Sequence, residues 1–178
     1  MTGPTRDIPD PGFPDDTGEA DPRLRAALAT YAEDPQAPGA AYAVLAVLQD
    51  SRVLVPVVAV LGEVEVGAHG LAREKTADMA AVLMQGRDGR QALLSFSGLD
   101  SLRAWNPEAR PVPVSAVDAA RSARHDGAAA LLVDVAGPVL FVVEGDDLQA
   151  LAEGWRLTRL ENRWAWVAAD SPGTASPR

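Results

Sequence analysis

The sequence predicts an α+β domain: one mixed β-sheet of about five to seven strands, an N-terminal αα-hairpin, and further helices packed on the sheet. Three observations lead there. Apolar runs of strand length recur, in Val53–Leu61, Leu93–Phe96, Ala130–Val135 and Val139–Val143. Segments with apolar residues at helical spacing fall between them. The strands are joined in some places by short Gly-containing turns and in others by helices, so the sheet holds both antiparallel and parallel neighbours.

The elements follow in chain order. Residues 1–20 are rich in Pro, Gly and Asp, with Arg6 set against Asp7, Asp10, Asp15, Asp16 and Glu19. Such a segment buries too little to offset its ordering entropy, which predicts a disordered or loosely docked acidic tail, with Ile8 and Phe13 as the residues able to pin it. The domain is read as residues 21–153. Asp21 and Pro22 open the first helix as N-cap and first helical residue, and Leu24, Leu28 and Tyr31 share a face. The stretch from Asp34 to Gly39 breaks it. A second helix, Ala40 to Gln49, carries Tyr42, Leu45 and Leu48, completing an αα-hairpin.

Ser51 to Leu61 is the first strand, apolar enough to be buried on both faces. Pro56 lacks an N–H and favours an edge or a bulge there. Gly62 to Ala77 is irregular, a solvent-facing extension or hairpin followed by loop. Met79 to Gln85 reads as a second strand, Gly86 to Arg90 as a hairpin turn, and Gln91 to Phe96 as a third strand. Ser97 and Asp100 have capping-box spacing for a helix carrying Leu99, Leu102 and Trp105. Arg110 to Val114 is extended, and Pro111 and Pro113 place it at a sheet edge or strand start. Ser115 and Asp118 repeat the capping box, starting a helix to about His125. Ala129–Val135 and Val139–Val143 flank Ala136, Gly137 and Pro138 as a hairpin. Asp146 and Asp147 begin a last helix, which stops at Gly154. Residues 154–168 form a Trp-rich extension in which Trp155–Leu160 and Arg163–Val167 flank Glu161 and Asn162, consistent with an appended hairpin, although Glu is a weak residue for a type I′ turn. Residues 169–178 are a disordered polar tail.

Composition excludes several functions. The 178 residues are 47% hydrophobic and 23% charged, as in an ordinary folded protein. The net charge of −9 and pI near 4.6 weigh against nucleic acid and anionic membrane surfaces, both of which need clustered Lys and Arg. The absence of Cys removes disulfides, thiolate nucleophiles and Cys-ligated metal sites. No apolar run reaches transmembrane length, and the N-terminus has no signal-peptide core. A cytoplasmic location is expected.

In order and spacing, Ser51–Val57, Ala92–Trp105 and Ala130–Val143 resemble the SseB-like family (enhanced serine sensitivity protein, N-terminal domain) in its actinobacterial form. The resemblance covers roughly residues 21–153, and its motifs are apolar and structural. It implies a fold and carries no catalytic residues across. Family members typically hold a second, C-terminal domain, whereas only the Trp-rich extension and polar tail follow here.

Candidate sites are few. His69 and His125 lie in no triad or metal spacing, and His125 suits a helix C-terminus. Arg73, Lys75 and Asp78 belong to the densest polar cluster between core strands: Lys75 could recognise a ligand or partner, with Arg73 and Asp78 orienting it, or the cluster is a solvated loop. Glu63, Glu65 and Glu74 read as the wet face of a strand, more simply than as an acid–base or metal site. Asp134 interrupts an apolar run, where it either faces outward or is buried and needs hydrogen-bond partners. Trp155, Trp164 and Trp166 either cover an exposed sheet face or form a partner-binding patch. Phosphate loops, dinucleotide fingerprints, His-Glu-x-x-His and Gly-x-Ser-x-Gly do not occur. The expectation is a non-catalytic protein without metal or cofactor that binds a protein partner. The alternatives are a sensor or enzyme for a small metabolite such as serine, from the phenotype in the family name, and a purely structural or assembly role.

Overall fold

The computed structural model describes residues 12–60 and 78–168. The extension expected over Gly62–Ala77 therefore lies outside the described residues, as do His69, Arg73, Lys75, the three glutamates, the first eleven residues and the last ten.

Helix α1 (Pro22–Glu33) starts as its sequence requires: the Asp21 carboxylate accepts the Arg23 N–H at 2.8 Å, and Pro22 loses nothing at a position whose N–H has no helical partner. Leu24 and Leu28 are buried, and Tyr31 meets Phe141 edge-on at 5.2 Å between ring centroids. Helix α2 (Ala40–Leu48) buries Val44, Leu45 and Leu48. Tyr42, expected on that face, is instead 39% exposed and lies against Trp164, because the buried arc runs from Val44 through Leu48 to Leu45 and Tyr42 falls outside it.

Seven strands make the mixed sheet in two hydrogen-bonded parts. Strand β1 (Arg52–Val60) is central in the first part, antiparallel to β2 (Asp78–Ala81) on one side and to β5 (Arg110–Ser115) on the other. The second part has the order β3 (Leu83–Gln85), β4 (Gln91–Ser95), β6 (Ala130–Val133), β7 (Phe141–Glu144), with β4 and β6 parallel. Leu54 and Phe96 exchange backbone hydrogen bonds of 2.8 and 2.9 Å, which joins the two parts.

The single strand expected over Met79–Gln85 is divided. Val82 donates its N–H to Pro56 O and accepts from Leu94, so the chain passes from one part of the sheet to the other at that residue. Pro56 is consequently in a central strand, contrary to the edge or bulge expected of it. It sits where the neighbour of β1 changes from Phe96 to Val82, and no ladder bond there requires its N–H. Because Leu54 spends its backbone groups on Phe96, its pairing with Pro113 carries no hydrogen bonds, and by alternation neither does that of Pro56 with Pro111. Both prolines of β5 thus turn their missing N–H to the outer edge, as their sequence predicts.

Each face of the sheet has its own core. Val53, Val55, Leu93, Leu131, Val133, Phe141 and Val143 pack against α1, α2, α4 (Ala116–His125) and α5 (Gly145–Ala152). Helix α4 presents Ala116, Ala119, Ala120 and Ala123, all fully buried, so its small residues let it lie close to the sheet. Its capping box forms as expected, Ser115 Oγ accepting the Asp118 N–H at 3.0 Å. On the opposite face Leu54, Leu94 and Phe96 are covered by α3 (Leu99–Trp105) through Leu102 and Trp105. Burying an aliphatic or aromatic side chain of this size contributes roughly 1.5–3 kcal/mol, which makes these two layers the main source of stability.

Residues beyond α5 form an antiparallel hairpin, β8 (Arg156–Leu160) and β9 (Arg163–Val167), with Glu161 at φ +53° in the turn. Buried Gln49, at the end of α2, holds it with both ends of one amide: it accepts the Leu157 N–H at 2.8 Å and donates to Leu157 O at 3.1 Å. Asp50 and Arg156 pair beside this clamp, and the bonded guanidinium holds the Asp50 carboxyl below the usual carboxylate range. No described helix is long and apolar enough to cross a membrane.

Candidate functional site

The carboxyl ends of the parallel strands β4 and β6 open into a cleft of about 990 Å³. Ligands in open α/β sheets favour such a position. Three segments distant in sequence line it: Thr17–Ala20 continuing into α1, the start of α3, and the β6–β7 loop.

The floor is built on Asp134, which is only 3% exposed. The residue takes φ +59°, a left-handed conformation that Asp tolerates better than most, and this ends β6 two residues earlier than the apolar run implies. Its N–H donates to Ser95 O at 3.0 Å. Its Oδ1 accepts the Ser97 N–H at 2.8 Å and the Ser101 hydroxyl, so one carboxylate oxygen ties the end of β6 to the β4–α3 turn. Gly137 must be glycine at this approach, since a Cβ there would stand 2.8 Å from Asp134 Cβ.

This arrangement displaces the capping box expected of Ser97 and Asp100. Helix α3 starts one residue later, with Gly98 as N-cap and no side-chain cap. Ser97 gives its N–H to Asp134, and its hydroxyl makes no hydrogen bond among the described residues while lining the cleft.

One wall is a strap, Phe13–Ala20, the second half of the acidic segment expected to be loose. Arg52 holds it. The guanidinium Nε and Nη2 both lie 2.7 Å from the Asp16 carboxylate, Nη2 also donates to Glu19 O at 2.7 Å, and Nη1 donates to Ser97 O at 2.9 Å. Gly18 O accepts the Leu99 N–H at 2.8 Å, and a Cβ on Gly98 would stand 2.8 Å from Ala20 N. The strap therefore lies directly on the start of α3. Arg25, on α1, and Arg103, on α3, stand at the rim with Glu19 and Asp100, and neither arginine makes an ion pair among the described residues.

Of the residues singled out in the sequence, Asp134 forms the cleft floor, Arg73 and Lys75 are outside the described residues, and Asp78 and the tryptophans do not line the cleft. Asp78 opens β2. Trp164 is half-buried against Tyr42, at 6.4 Å between ring centroids, and beside Gly39. Trp166 is half-buried and donates its indole N–H to Asp147 at 2.8 Å. These two tryptophans cover helices α2 and α5 rather than the sheet face expected for them. The reason is the Gln49 clamp, which docks the hairpin on α2. Trp155 precedes β8 and is 37% exposed. The sequence drew attention to Asp134 but gave it no partner, and it passed over Arg52, Asp16 and Ser101. Arg52 carried a signal, as the lone charge in an apolar strand.

A family model described as the SseB protein N-terminal domain matches residues 24–150, most of the chain. The chain belongs to the SseB family. Neither the curated proteins nor the solved structures compared with it gave a match. The matched span contains the cleft floor (Ser97, Ser101, Asp134, Gly137) and the α1 wall, so these are parts of the SseB domain itself. The strap and the tryptophan hairpin flank that span.

The SseB cleft has three carboxylates (Glu19, Asp100 and Asp134), hydroxyls and two rim arginines, and among the described residues its lining includes no histidine or lysine. His125 is exposed on α4. Among the described residues no three His, Asp or Glu side chains gather closely enough to hold a metal ion.

Proposed function

We propose that this SseB domain is a non-catalytic binding domain that acts in the cytoplasm by docking a protein partner in the strap–α1–α3 cleft. One observation carries the reading: three chain segments distant in sequence, the strap with α1, the start of α3 and the β6–β7 loop, converge on an open, largely apolar trough at the strand ends, with a few fixed polar groups at its floor. That combination is typical of binding sites. The tryptophans are weaker candidates, since Trp164 and Trp166 spend much of their surface on the protein's own helices.

A photo-crosslinking amino acid placed at Ala104 or Ala136, both exposed beside the cleft, should capture a discrete partner. The same group at Leu160, on the hairpin, should not. The captured partner, purified and mixed with the full chain, should bind less tightly to Val139→Asp. Capture from the hairpin alone would move the interface away from the cleft. A rise in thermal midpoint with millimolar serine or a related metabolite, without any protein partner, would replace this reading with that of a small-molecule sensor.

A further inference from the structure

We infer that the cleft receives the terminal α-ammonium of a polypeptide chain, with Asp134 Oδ2 as its counter-charge; the inference rests on the cleft reading above. Asp134 is almost wholly buried, yet only one of its oxygens is used. Oδ1 takes the Ser97 N–H and the Ser101 hydroxyl, while Oδ2 accepts no hydrogen bond among the described residues. A carboxylate has about four acceptor positions, and Oδ2, which is not among the buried unpartnered atoms of the described residues, is left for a donor brought to it from the cleft that Asp134 lines, most of all a cationic one.

Chemistry narrows the choice of cation. A guanidinium binds best as a fork to both oxygens of a carboxylate, and here Oδ1 is already taken. A compact ammonium needs only one oxygen and directs its remaining protons to neighbouring acceptors. Ser97, which lines the same floor and whose Oγ makes no hydrogen bond among the described residues, offers such an acceptor. An α-ammonium is followed at once by peptide backbone, which suits an open trough walled by Ala29, Ala32, Ala104 and Pro138. Arg25 and Arg103 at the rim can meet the carbonyls or carboxylates further along that chain, and Glu19 and Asp100 make the rim mixed in charge.

The test uses the full chain, amide-labelled for NMR, and three probes at millimolar concentration: tetra-alanine amide with a free N-terminus, its N-acetylated form, and an N-acetylated peptide with Lys at the first position. The free-amine peptide should give saturable shifts at the Ser97, Ser101, Asp134 and Gly137 amides. The acetylated form should bind at least about tenfold more weakly, the scale of a lost hydrogen bond to a charged group. Asp134→Asn keeps an acceptor at Oδ1 and should erase that difference. Should this variant fail to fold, the comparison of free and acetylated peptides on the natural chain still decides. Equal binding of the acetylated peptide overturns the ammonium and leaves the cleft reading standing. Equal binding of the lysine peptide overturns the chain terminus. No shift at these amides with any peptide overturns both.

Discussion

Arg52→Met removes the one side chain that fastens the strap to the sheet. The guanidinium is 13% exposed and its partner Asp16 11%, so the pair is largely desolvated. Removing one partner of a buried pair costs roughly 3–5 kcal/mol when the other charge has nowhere to go. Here Asp16 can escape, because among the described residues the strap continues only into α1 and can undock into water. Undocking rehydrates Asp16 and Glu19 O and returns chain entropy, so a loss of about 2–3 kcal/mol is expected. For a protein of this size that is a fall in Tm of about 5–10 °C. The structural signature is more specific than the loss itself. The Leu99 amide, which donates to Gly18 O, should lose its hydrogen-exchange protection, while the Leu93 and Leu131 amides in the sheet keep theirs relative to global stability. Arg52→Lys should fall between, since an ammonium keeps the charge but not the fork that reaches Asp16, Glu19 and Ser97 together. If Leu99 stays protected in Arg52→Met, the strap is held by something other than this guanidinium, and the account of the wall is wrong.

Three further outcomes follow from the same structure. Gln49→Ala leaves the buried Leu157 N–H and carbonyl without partners, which should remove about 2–4 kcal/mol in urea unfolding followed by tryptophan fluorescence; a loss under about 1 kcal/mol would mean the hairpin does not depend on the clamp. Arg156 depresses the Asp50 pKa in the folded state, so this pair adds stability above the unfolded carboxylate pKa and loses it as pH falls through the folded one. Because both side chains are roughly half exposed, the increment is below about 1 kcal/mol, and Asp50→Asn should lose correspondingly less than the natural chain between pH 6 and pH 3; parallel losses would refute the assignment. Glu161→Asn should raise the thermal midpoint by the equivalent of about 0.5 kcal/mol, because Asn enters the left-handed region at φ +53° more readily; a lower midpoint would show that the Glu side chain itself holds the turn.

What could be read in the sequence was what depends on neighbours along the chain. Asp21, Pro22, Ser115 and the prolines of β5 did what local sterics and hydrogen bonding demand, and the apolar runs found the strands. Pro56 and Val82 were misjudged because their roles depend on which strand lies alongside. The cleft was invisible for the same reason: Arg52 meets Asp16 across 36 positions and Ser97 meets Asp134 across 37, and no periodicity encodes either meeting. Trp164 and Trp166 were correctly seen as a large apolar investment, but only the Gln49 clamp says which surface they cover.

The Ser97–Asp100 spacing is the instructive case, because it marked the right turn and named the wrong partner. A capping box would have satisfied the start of α3 locally and left β6 independent of it. Asp134 instead supplies the acceptor from the neighbouring strand, so β4, β6 and α3 share one carboxylate oxygen. Asp134 itself lines the floor of the cleft. A donor that engages Oδ2 would therefore act on the same carboxylate that holds the Ser97 N–H and the Ser101 hydroxyl at the start of α3. The strap rests on that same turn through the Leu99 N–H, so the floor of the cleft and the strap share residues 97–101 as their support.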